Sequence, residues 1–460
     1  MAFTNLFFIF GYLPLTLIGY QFCKNQKIKN IFLLIVSWLF YAWAGLPGFL
    51  ILLITTLWIF ACGKQIDLMD QKQHKKKSWL VGGSIAFLVL ILFVYKYLNV
   101  WINGLFGLAP LNLIMPLGLS FYIFSAISYL ADVAMKKTPV QKNFLDLALY
   151  IAFFAKLTMG PISEYREFKN QLENRKLTSA NLSQGTLLFF KGLVKKVIFA
   201  DQLALMFASL QGETSVVGVW LLSLSYTFQL YFDFSGYSDM AIGIGKWFGF
   251  EIPKNFDHPY VADSVQNFWR RWHISLSTWF RDYVYIPLGG SRVDKNKFIR
   301  NILVVWLLTG IWHGANMTYI LWGLYYGVLL LIERFYGKKI LERLPHTVRI
   351  VLIFFIANFG WVFFFSPTYA EAFRLLGCMF GIAESFVNSQ ALFGLSQYLG
   401  LLLASFVFAT PVVDLVQDRI FALWKQKGVV LVSVVYILLF VACIGMLVSS
   451  TSQIFLYNAF

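Results

Sequence analysis

The stretch NILVVWLLTGIWHGANMTYILWGLYYGVLLLIE (301–333) is two apolar runs joined by a short polar hinge. Each run, with its flanks, approaches the roughly 20 residues that cross a bilayer as α-helix. Similar runs recur from one end of the chain to the other. Of 460 residues, 59% are hydrophobic, 19% aromatic and 13% charged, against about 25% charged in an ordinary soluble domain. Mean hydropathy is +0.67. An outer-membrane barrel is excluded, because its strands alternate apolar and polar residues. The chain reads as one all-α polytopic membrane domain over 1–460.

The net charge of +16, from 38 basic and 22 acidic residues, does not point to nucleic acid. The basic residues gather in short loops between apolar runs, as the positive-inside rule describes. The four cysteines, Cys23, Cys62, Cys378 and Cys443, lie in or beside apolar segments without metal spacing,. The first 20 residues lack a basic n-region and a small-residue cleavage site. They read as a retained first span with the N-terminus outside.

Apolar length and flanking Lys/Arg predict about 11–12 spans. Two segments read as re-entrant. One is 144–161, which carries Lys156 and ends in the helix-breaking pair Gly160-Pro161,. The other is the glycine-rich DFSGYSDMAIGIGKWFGF (233–250). The polar-aromatic block 254–298 is expected in the cytoplasm. No internal repeat of the inverted kind found in many transporters is apparent.

Within that block, DSVQNFWRRWHISLSTWFRDYVYIPLGGSR (263–292) predicts one amphipathic helix. Asp263 would cap it, with Gln266 three residues on as in a capping box. At 100° per residue, Phe268, Trp272, Leu276, Trp279 and Tyr283 share one stripe. Gln266, Arg270, His273, Ser277 and Arg281 share the opposite one. An interfacial helix with snorkelling arginines explains the aromatic stripe. A face of guanidinium, imidazole and hydroxyl also suits a phosphate or carbonyl ligand. Both readings stay open on the residues alone.

His313 lies 13 residues beyond Arg300, the expected cytoplasmic start of its span. At ~1.5 Å per residue it sits roughly 20 Å deep. An ionisable side chain at that depth is a functional candidate. Thr309, His313 and Asn316 fall on one helical face, and Gly310 and Gly314 allow close approach. Burial favours a neutral ring able to accept a proton from a hydroxyl attacking an acyl group. No GxSxG or HxxxH motif is present, and no metal is expected. Asp233 and Asp239, the remaining intramembrane carboxylates, can orient a histidine, bind a cation, or pair with Lys246 or an arginine.

NFWRRWHISLSTWFRDYVYIPLGGSR (267–292) followed by LLTGIWHGANMTYILWG (307–323) resembles the membrane-bound O-acyltransferase family. Within it, the chain resembles the bacterial alginate and peptidoglycan O-acetyltransferases. DFSGYSDMAIGIG (233–245), GPISEYREF (160–168) and LFYAWAG (39–45) fit the same group. The resemblance covers most of the chain and is strongest over 233–323. It implies a bowl-like fold with a tunnel at its thin centre, with His313 as catalytic histidine and His273 as a second one nearby. It implies an acyl thioester donor such as acetyl-CoA in the cytoplasm and no bound cofactor. The acceptor would be a polysaccharide hydroxyl outside a bacterial plasma membrane, reached through an extracytoplasmic SGNH-type partner. Arg270, Arg271, Ser277, Arg281, Thr309, Asn316, Asp233 and Asp239 would bind or orient the donor. Arg292 and Lys295 could meet its phosphates. D-alanine transfer to teichoic acid is the nearest alternative. A proton-coupled transporter using Asp233, Asp239 and His313 is the alternative from another class.

Overall fold

The computed structural model describes residues 2–69, 74–106, 109, 111, 113–449 and 455–456. Among them every regular element is helical, and Ser215 and Ser385 form an isolated parallel bridge. Among the described residues, five helices are long and apolar enough to cross a membrane: Leu46–Leu68, Lys75–Lys96, His346–Phe365, Ser389–Phe408 and Val412–Ser449. Gln26–Ala42, Leu119–Ala134 and Met317–Ile332 are apolar but a little shorter. Only 11% of the apolar window of Lys75–Lys96, and of Val412–Ser449, is buried within the protein. Their remaining side chains, such as Val89, Leu90, Leu438 and Val441, are exposed apolar surface of the kind lipid covers,.

The helices gather into two compact units, residues 1–189 with 237–254, and residues 190–236 with 255–460. The helix Val216–Trp247 contributes to both. In the first unit, Asn25 and Asn143 start the helices Gln26–Ala42 and Phe144–Ala152 by accepting backbone N–H groups of Ile28 and Leu145,. The segment 144–161 is helical from Phe144 to Ala152 and from Phe154 to Leu157, so the helix is over before Gly160-Pro161, and it has a further break at Phe153 that its sequence does not signal. Ser37 Oγ accepts the N–H of Phe154 just after that break. Gly118, at φ 70°, packs where a Cβ would stand 2.3 Å from the Leu157 carbonyl oxygen,.

The glycine-rich stretch 233–250 is not interrupted. It is helical through Trp247. Its glycines serve helix contact instead: a Cβ at Gly243 would meet the Gly185 carbonyl at 2.5 Å. In the second unit, the predicted span 194–211 is the end of a longer helical run. It begins at Ser179 and passes through a π-helical turn, Lys195–Ala200, before Asp201–Ser209.

Candidate active site

The site is built on the hairpin of Lys295–His313 and Met317–Ile332. The two helices touch backbone to backbone. A Cβ on Gly310 would lie 2.5 Å from the Tyr319 carbonyl oxygen, and one on Gly323 would lie 2.4 Å from that of Trp306. His313 is the last residue of the first helix, and Gly314 ends it. The imidazole is 3% exposed. Trp322 meets it edge-to-face at 5.0 Å and 87°, and Phe364 does so at 4.9 Å and 81°.

Because the helix stops at His313, the expected face of Thr309, His313 and Asn316 is only partly formed. Asn316 instead starts the next helix, accepting from the Thr318 N–H and donating to the Pro367 carbonyl. The Thr309 hydroxyl bonds back to the Val305 carbonyl at 2.8 Å. Of the three, Thr309 and His313 line the neighbouring cavity.

That cavity has a volume of about 840 Å³ and lies wholly within the second unit. It is of ligand-pocket size. The polar stripe Gln266, Arg270, His273, Ser277 and Arg281 lines it together with Thr309 and His313. The stripe does so without forming one helix. Val265–Arg271 and Ile274–Phe280 are separate, and a π-helical turn, Arg281–Tyr285, follows. The break falls at His273, which adopts the left-handed conformation at φ 43°. Ser264, not Asp263, caps the first short helix, accepting from the Asn267 N–H. Asp263 accepts from the Asn267 amide and pairs with Arg349 at 3.4 Å.

The arginines divide by environment. Arg270 lines the cavity and makes no ion pair with any described residue. Arg281 lines it while pairing with Asp282 at 2.7 Å. Arg271 is tied to Asn267 and to the Asp257 carbonyl, outside the lining. Arg292 is exposed, and Lys295 lies over the Phe335 ring at 5.0 Å. Neither lines the cavity.

Asp233 is buried in an ion cluster. It accepts from Lys196 at 2.7 Å and from the Leu456 N–H at 2.9 Å, and Lys196 also meets Asp201 at 2.8 Å. Its partner is thus neither Lys246, which pairs with Glu251, nor an arginine. Asp239 belongs to the first unit. Neither aspartate lines the cavity. Among the described residues no cluster suited to a metal occurs.

Three contributors escaped the sequence reading. Arg334, just past the apolar run 317–332, lines the cavity. Glu333 accepts the N–H groups of both Val265 and Gln266, holding the start of the short helix that bears Arg270. Asn255 is fully buried against the His273 turn.

With this geometry in hand, comparison with known proteins is decisive at the level of family. The membrane-bound O-acyltransferase family profile matches residues 38–370. The chain belongs to that family and is a polytopic membrane O-acyltransferase, which decides for the enzyme over the transporter. It is 40% identical over 411 residues to a probable alginate O-acetylase of Pseudomonas syringae, covering 86% of this chain and 79% of the relative. It is 35% identical over 426 residues to a peptidoglycan O-acetyltransferase of Helicobacter pylori, covering 83% and 80%. A teichoic acid D-alanyltransferase of Bacillus subtilis is 29% identical over 378 residues, covering 76% and 93%.

Proposed function

We propose that this chain transfers an acetyl group from a cytoplasmic thioester, acetyl-CoA, to hydroxyls of a cell-surface polysaccharide, with His313 as general base. One observation carries the reading: His313 is almost wholly buried, yet it lines the cavity that Arg270 and Arg281 also line. The arginines suit donor phosphates, and the imidazole suits a hydroxyl. The ring takes the hydroxyl proton as the oxygen attacks the thioester carbonyl. The C–S bond then breaks, and the departing thiolate receives that proton. Higher identity to the O-acetylating relatives than to the D-alanyl one supports acetyl as the group moved. In the same reading the protein resides in a bacterial plasma membrane, its N-terminus outside because Lys24, Lys27 and Lys29 follow the first apolar run,, and an SGNH-type extracytoplasmic partner completes the transfer.

The test is mass spectrometry of surface glycans from cells carrying the wild-type gene or His313→Ala at matched membrane abundance. Acetyl esters should be present in the first and absent in the second. Full acetylation in the variant overturns the role of His313. D-alanyl esters in place of acetyl overturn the choice of acyl group.

A further inference from the structure

His273 stands in a setting that determines which of its nitrogens carries the proton. Asn255 Oδ1 accepts from the Ser275 N–H at 3.1 Å and from the Ser275 hydroxyl at 2.9 Å, and it lies 3.3 Å from His273 Nδ1. A backbone N–H can only donate, so the Asn255 atom that faces Ser275 is its carbonyl oxygen. The amide orientation is therefore fixed by chemistry rather than by choice. That oxygen can only accept, so the Nδ1 that points at it must bear the hydrogen.

The backbone reinforces the arrangement. The Asn255 carbonyl accepts the Ile274 N–H at 2.9 Å, which clamps the left-handed turn from the other side. Asn255 is 0% and His273 1% exposed. The rings packed on the imidazole, Phe234, Phe256 and Trp312, carry no charge. Burial pushes the imidazole pKa down to about 3, which disfavours an imidazolium,.

We propose that Asn255 is a positioning residue that locks His273 as the Nδ1–H tautomer, leaving the ring's lone pair at Nε2 for the acyl-transfer site. The proposal deepens the reading above and rests on the cavity being that site. It also limits the chemistry of His273. A neutral ring held in this tautomer accepts a hydrogen bond or proton at Nε2, and it supplies neither positive charge to donor phosphates nor a proton to a leaving thiolate. A thioester arm bearing amide N–H groups, or the acceptor hydroxyl, is the class of partner that such an acceptor recognises.

The test uses the full chain in lipid nanodiscs with ¹⁵N-labelled histidine. The His273 signals are assigned by their loss in His273→Asn. The wild-type spectrum should show Nδ1 protonated and Nε2 unprotonated, unchanged from pH 8 to pH 5. An Nε2–H tautomer, or titration within that range, overturns the proposal. Asn255→Asp places a carboxylate against Nδ1 and should bring the ring's titration into the range. Acetyl-CoA consumption by that variant should then fall about tenfold from pH 8 to pH 6 relative to wild type. A wild-type pH profile in Asn255→Asp overturns the positioning role. The spectrum needs no turnover, so it stands even if the chain uses another acyl donor.

Discussion

The rings of Trp322 and His313 pack edge-to-face with centroids 5.0 Å apart, and Trp322 is 1% exposed. The indole therefore fixes the histidine's place at the end of its helix from the opposite arm of the hairpin. Trp322→Phe keeps a ring there and should lower acyl transfer only severalfold, since such a pair is worth about 0.5–1.5 kcal/mol beyond burial. Trp322→Ala opens a void and should cost about 3–5 kcal/mol of stability. Thermal unfolding and transfer assays on the same nanodisc samples separate the two effects.

Lys196 lies between Asp233 and Asp201 with almost no exposure. Lys196→Met should destabilise the protein by about 3–5 kcal/mol, because the buried Asp233 and the largely buried Asp201 lose their shared cation,. The triple variant Lys196→Met, Asp201→Asn, Asp233→Asn should regain most of that loss. Thermal midpoints of both variants check this, and equal midpoints would show that the charges do not act together.

Two glycines should respond to the same substitution in opposite ways. Gly310→Ala forces a methyl against the Tyr319 carbonyl and should cost about 1–3 kcal/mol,. It should also lower transfer, because His313 is three residues further along that helix. Gly400 sits inside Ser389–Phe408 with nothing within 4 Å of an added Cβ. Gly400→Ala should stabilise by about 0.5–1 kcal/mol. Melting curves of the pair give the comparison.

The His273 ring also carries a pH signature. Its pKa falls from 6.5 to about 3 in the folded chain. Between those values the unfolded chain binds the extra proton. Stability is therefore full above pH 6.5 and falls as pH drops toward 3. His273→Asn should flatten that part of the profile, while leaving the melting midpoint at pH 7.5 to 8 independent of pH at this site. Midpoints taken between pH 8 and pH 4.5 test the sign.

Much of this is legible in the sequence. Apolar run length marked the helices, and depth along one run singled out His313. The spacing of Arg270, His273, Ser277 and Arg281 placed them together, and they do share a cavity. A helical wheel, however, carries no information about a left-handed residue. The break at His273 was invisible because Asn255, 18 residues earlier, helps to hold it. The Lys196 partnership with Asp233 joins side chains 37 residues apart on different helices, and no local pattern encodes it. Asn316 was misplaced because Gly314 turns the chain before it arrives.

The left-handed backbone at His273 narrows the alphabet open to that position. Most side chains are strained at φ 43°, and β-branched ones most of all, whereas glycine and asparagine are at ease there,. A saturation library at codon 273 should thus separate two selections. Scored by protein abundance, Gly and Asn would survive beside His, and Val and Ile would be depleted. Scored by glycan esterification, only the imidazole would persist, so the gap between the two maps measures how much of this residue is spent on folding and how much on chemistry.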